Sequence, residues 1–94
     1  MAMKRIALEE HFLAPGFEQY WLKTVEDVEP ARYAQVLARL NDFGEQRLAA
    51  MDTSGIGIAA LSLAGPGVQI ERDTETATRK AREANDFLAA QIQK

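Results

Sequence analysis

The stretch "RIALEEHF", Arg5 to Phe12, sets two adjacent carboxylates and the chain's single histidine at the end of an apolar run. Glu9 and His11 are two positions apart. In a strand rising about 3.3 Å per residue, their Cα atoms would stand roughly 6.6 Å apart with both side chains on one face. A neutral imidazole nitrogen at ~2.0 Å and a carboxylate oxygen at ~2.1 Å are ordinary ligands for zinc or another divalent metal, but such a site takes at least one more protein ligand. The 94 residues contain no second histidine and no cysteine. On spacing alone, the simpler reading is a pair of solvated side chains at a strand end.

Two further groups of residues could face a ligand. Phe17, Tyr20 and Trp21 recur at helical spacing, which fits a short amphipathic turn plugging the core and, as the alternative, a pocket wall above the strand ends. Gly65 and Gly67 flank Pro66 and are most simply turn residues. Loops at the C-terminal ends of parallel strands also form the ligand crevice of α/β folds, so Gly65 and Pro66 are candidate substrate contacts as well. "GIG" at Gly55 to Gly57 precedes an apolar strand instead of following one, and is no dinucleotide fingerprint.

Elements must position these residues. Alternation predicts a strand over Arg5–Glu10, with Ile6 and Leu8 on one face and Ala7, Glu9 and His11 on the other. Pro15, Gly16 and Pro30 punctuate a long connection. Tyr33, Val36, Leu37 and Leu40 then define a helix starting just after Pro30. In "NDFGEQRLAAMDTSG", Asp42 with Glu45 three residues on predicts a capped second helix, with Leu48 and Met51 toward the core and Gly55 as left-handed terminator. "IGIAALSLA" is nearly all apolar, which predicts a strand over Ile58–Leu63 covered on both sides, as in a parallel sheet. A last helix from about Thr74 to Ile92 should pack Ala77, Ala81, Ala84, Leu88 and Ile92 inward.

The order strand, helices, strand, helix is the opening of an alternating α/β fold. Two parallel strands do not finish a sheet, and exposed edges invite aggregation, so the expectation is the first part of a longer protein. Composition bounds the rest. An apolar fraction of 47% and a charged fraction of 27% suit one soluble globular domain over residues 1–94. A net charge of -3 with scattered Lys and Arg offers no footprint for nucleic acid. The apolar run after Lys4 and Arg5 is cut short by Glu9 and Glu10, too early for a signal peptide, and no window approaches the roughly 20 residues of a membrane span. Without cysteine the chain fits a reducing cytoplasm.

Taken together, "ALEEHF", "FGEQRLAAMDTSGIGIAALSLAGPGVQ" and "AREANDFLA" resemble, in this order, the N-terminal part of the metal-dependent amidohydrolase-related family. Within that family they are most similar to the hydroxybenzoate decarboxylase branch of the γ-resorcylate type. The resemblance covers almost the whole chain. Glu9, standing where the wider superfamily usually carries the first histidine of a His-x-His pair, points to that branch.

The resemblance implies a (β/α)8 TIM barrel of about 250 residues, of which this chain would supply the first two βα units. It also implies one divalent metal, zinc or manganese, held by Glu9 and His11 together with a histidine and an aspartate from later strands. Ala7, Glu9 and His11 would point into the barrel and Ile6 and Leu8 toward the helices. Family members take an ortho-hydroxybenzoate, a small aromatic carboxylic acid. An aspartate expected beyond Lys94 protonates the ring carbon, and carbon dioxide leaves without a redox cofactor. A homo-oligomeric full-length parent is expected, and Phe17, Trp21, Gly65 and Pro66 are the candidate substrate contacts. Two departures stand out: Gly57 occupies a position often held by Asp, and Ala64 and Gly65 occupy positions often polar, which leaves the substrate open. Hydrolysis by an activated water on the same platform is the near alternative. A short, non-catalytic interaction module is the alternative of a different class.

Overall fold

The alternating run and the apolar run form two strands, β1 (Arg5–Phe12) and β2 (Ile56–Leu63), paired in parallel as the only sheet among the described residues. The computed structural model describes residues 4–94, with 23 and 24 described by backbone alone. Both strands start or end a little beyond their expected limits. Between them lie α1 (Pro30–Leu40) and α2 (Glu45–Ser54), and α3 (Thr74–Ile92) follows β2.

The helix ends follow from their residues. Pro30 occupies the first turn of α1, where its missing N–H costs nothing. Gly55 closes α2 in the left-handed conformation at φ 71°. Asp73 caps α3 by accepting from the Thr76 amide at 3.0 Å, and its bonds from the Thr76 hydroxyl and amide hold its carboxyl below the usual carboxylate range. The start of α2 differs from expectation. Gly44 is the N-cap, and Asp42 instead reaches over it to accept from the Arg47 amide at 2.8 Å. Glu45 makes no side-chain hydrogen bond among the described residues.

Register exposes a feature that alternation hides. Arg5 pairs with Ile56 but Ile6 with Ile58, so β2 carries one extra residue, Gly57. Ala7 pairs with Ala59 but Glu10 with Leu61, so β1 carries one extra residue at Leu8–Glu9. These are β-bulges, uncommon in parallel pairs, and each resets which side chains share a face. Beyond the second bulge Glu10 and Phe12 lie with Ala7, Leu61 and Leu63 on the half-buried or buried side under the helices. Ile6, Leu8, Glu9 and His11, with Ile58, Ala60 and Ser62, occupy the exposed side. The expectation that Ala7 shares a face with Glu9 and His11 while Ile6 and Leu8 turn to the helices is therefore corrected. The physical reason is the extra residue in β1. Gly57 is required where it stands, since a Cβ there would come within 2.9 Å of the Lys4 Cβ.

The core gathers at the C-terminal ends of the strands. Phe12, Leu13, Ala14, Phe17, Tyr20, Trp21, Ala64 and Ala84 are buried together. Phe12 meets the Phe43 ring edge-on at 5.8 Å, and Phe43 meets Phe87 at 5.5 Å, tying β1 to the α1–α2 turn and to α3. Leu48 and Ile92, expected to face inward, are 55% and 68% exposed. Each sits on a helix flank against which none of the described elements packs. The cover expected on both faces of β2 is present on one.

The bare face makes a solution property measurable. Ile6, Leu8 and Ile58 are 61%, 73% and 61% exposed side by side, and each strand has a free edge. Contiguous apolar surface and open edges drive association. The 94-residue polypeptide is expected to scatter light as a species heavier than its 10.4 kDa. Leu8→Lys with Ile58→Lys should return much of it to monomer. A monodisperse monomer before substitution would contradict this account of the face.

Candidate metal centre

Glu9 and His11 lie at the C-terminal end of β1, both exposed on the side of the sheet that no helix covers. Glu10 between them is half-buried on the opposite side, where its charge acts on the Arg47 guanidinium. The bulge at Leu8–Glu9 separates them in this way. Glu9 and His11 thus share the open face and Glu10 faces α2.

The donor chemistry suits a divalent cation, since a carboxylate and an imidazole are both ordinary ligands of zinc and manganese. The set stops at two. Among the described residues no group of three or more His, Asp, Glu or Cys side chains is gathered where a metal could be held. Two donors of the right kind fit part of a coordination shell, and the remaining ligands must come from elsewhere.

The other candidates sort by burial. Phe17 and Trp21 are 2% and 6% exposed. After β1 the chain turns at Pro15 and Gly16, where φ is 85°, and doubles back so that these rings enter the core. Trp21 stacks on Tyr33 at 5.5 Å, and the Lys80 ammonium sits 5.3 Å from the centre of the Phe17 ring. Gly65 is exposed and Pro66 half-buried immediately after β2, joined by a cis peptide bond. The Tyr20 hydroxyl donates to the Glu71 carboxylate at 3.2 Å, which ties the connection after β1 to the segment after β2. At the end of the sheet Glu9, His11 and Gly65 are thus exposed, while the rings after β1 are buried in the core.

One residue was not marked by sequence. Arg47, in the first turn of α2, donates through its guanidinium to the carbonyls of Asp42 at 2.7 Å, His11 at 2.8 Å and Arg39 at 3.2 Å. The guanidinium also lies 5.4 Å from the centre of the Phe43 ring. Its burial lowers the arginine pKa, and the carboxylates of Glu10 and Asp42 oppose that shift. The only sequence hint was an arginine on a helix flank close to the core.

The known proteins that this chain resembles are decarboxylases of hydroxybenzoates. γ-Resorcylate decarboxylase of Polaromonas sp. (strain JS666 / ATCC BAA-500) is 39% identical over 90 residues, which are 96% of this chain and 27% of that protein. The crystal structure of dihydroxybenzoic acid decarboxylase from Polaromonas sp. JS666, with bound manganese and the inhibitor 2-nitroresorcinol, superposes with a TM-score of 0.84. It is 38% identical, over 96% of this chain and 26% of that one. A 2,6-dihydroxybenzoate decarboxylase complexed with 2,6-dihydroxybenzoate gives a TM-score of 0.86 at 35% identity, over 98% of this chain and 28% of that one. No protein-family profile matches. Along nearly its whole length the chain is similar to hydroxybenzoate decarboxylases of the γ-resorcylate type, and it spans about a quarter of the length of the relatives it matches. No helix among the described residues is long and apolar enough to cross a membrane.

Proposed function

We propose that this chain contributes the opening two βα units of a (β/α)8 barrel whose whole protein is a metal-dependent, non-oxidative decarboxylase of hydroxybenzoate-type acids. The single observation that carries the reading is Glu9 and His11 exposed on one face at the C-terminal end of β1, in a chain that aligns along nearly its whole length with decarboxylases of such acids. Active sites of such barrels gather at that end of the strands.

Glu9 and His11 would hold the cation, of which manganese is the form bound in a related structure. When bound, the metal supplies positive charge that attracts and orients an anionic substrate. This chain's own residues then frame the site. His11 would offer an imidazole nitrogen and Glu9 a carboxylate oxygen. Gly65 and Pro66 bound the space above β2 with little side-chain bulk, leaving room for a planar ring. Phe17 and Trp21 support the site by filling the core under the connection after β1. The proton for the ring carbon falls to an aspartate outside this chain. The whole protein is read as a cytoplasmic homo-oligomer.

The test is loss of 2,6-dihydroxybenzoate with release of carbon dioxide by the whole protein, before and after metal removal by a chelator. Metal-dependent decarboxylation is the expected result. Hydrolysis of an amide or ester in place of decarboxylation would move the protein to the hydrolase reading. Neither activity with a folded, metal-loaded protein would leave the interaction module. The 94 residues alone are expected to turn over nothing.

A further inference from the structure

We propose that Arg47 is a positioning residue for His11, holding the peptide after it so that the imidazole aims at the metal. The proposal rests on the reading of His11 as a ligand. Among the described residues the His11 side chain takes no hydrogen bond, so backbone geometry alone sets where its Cα–Cβ bond points. That backbone is held on two sides. The Phe12 carbonyl turns toward β2 and accepts from the Ala64 amide at 2.9 Å. Alternation then turns the His11 carbonyl to the edge of β1 away from β2, the edge that the closing strand of the proposed barrel would flank.

Arg47 takes that carbonyl at 2.8 Å, and the Leu13 amide on the same edge donates to the Leu40 carbonyl at 3.0 Å. The guanidinium is itself fixed, because two of its nitrogens reach three carbonyls from three segments: β1, the end of α1 and the α1–α2 turn. A charged donor makes a shorter, stronger bond than a neutral one and carries its geometry with it. Partners one step removed from a metal ligand fix that ligand's orientation, and losing them weakens metal binding about 10–100-fold.

The measurement is the dissociation constant for manganese(II) in the whole protein, read from the electron paramagnetic resonance signal of the free ion in equilibrium dialysis. The melting temperature of each metal-free variant is recorded beside it. Arg47→Met is expected to weaken binding about 10–100-fold. Arg47→Lys, which keeps the charge and can still reach one carbonyl, should recover part of the loss. If Arg47→Met does not fold, the Lys variant decides: weaker binding at an unchanged metal-free melting temperature supports the proposal. Manganese bound by the Lys and Met variants as tightly as by the unsubstituted protein overturns it, and so does a loss that only tracks a lowered melting temperature. His11→Ala separates the two readings. If His11→Ala keeps the metal, the site assignment fails. If His11→Ala loses the metal while both Arg47 variants keep it, only the role of Arg47 fails.

Discussion

Replacing His11 by Ala in the whole protein is expected to lower bound metal and decarboxylation together, and Glu9→Gln is expected to do the same. On the proposed reading this chain brings two donors to the shell; the first change deletes one and the second trades a carboxylate for a weaker, neutral amide oxygen. Glu10→Gln is the informative neighbour. Glu10 carries the same charge as Glu9 one residue away, yet it lies half-buried on the opposite side of the strand beside Arg47. Metal content near one per chain and a near-normal rate are expected from it. Elemental analysis run beside the decarboxylation assay on the three variants checks the set. Metal lost from Glu10→Gln but kept by Glu9→Gln would mean that the face assignment around the bulge is reversed.

The second large effect is Phe12→Ala. Phe12 is 1% exposed and begins the ring series that continues through Phe43 to Phe87. Truncating a buried phenylalanine costs about 3–5 kcal/mol, the removed transfer free energy plus the cavity left behind. The cavity here would open between β1, the α1–α2 turn and α3, which share no other aromatic contact among the described residues. Phe12→Leu, closer in volume, should cost under about 1.5 kcal/mol. Urea denaturation midpoints of the metal-free protein measure both. An alanine variant within about 1 kcal/mol of the unsubstituted protein would mean that these elements are held together in some other way.

Much of the fold could be read from the sequence because local chemistry wrote it there. Pro30 and Gly55 mark helix boundaries through backbone conformation alone, and the apolar run after Gly55 has few readings other than a covered strand. What stayed hidden depends on partners distant in sequence. Period-two alternation cannot register an extra residue in β1, since a bulge is defined only by the strand across from it. The faces of Ile6, Ala7 and Leu8 were therefore assigned wrongly. Glu9 and His11 come to the same face by a different route. Leu48 and Ile92 have helical spacing suited to a core, but spacing cannot say whether a neighbour exists. Phe17 and Trp21 fit a plug and a wall equally well until the turn at Gly16 sends them inward. Arg47 was invisible because its partners are backbone carbonyls, which no side-chain pattern encodes.

The two bulges also cancel. Gly57 adds a residue to β2 and Leu8–Glu9 adds one to β1, so the strands begin in step at Arg5 and Ile56 and finish in step at Phe12 and Leu63. They stand to each other as a frameshift does to its suppressor. Removing Gly57 alone would leave the strand ends out of level by about 3.3 Å, shifting Gly65 and Pro66 relative to His11. Removing Leu8 as well would bring the ends level again and leave β1 in plain alternation, with Glu9 and His11 still on the open face. Insertions and deletions in these strands can then be tolerated in matched pairs where single ones are not, and the level of the two strand ends is the quantity conserved between them.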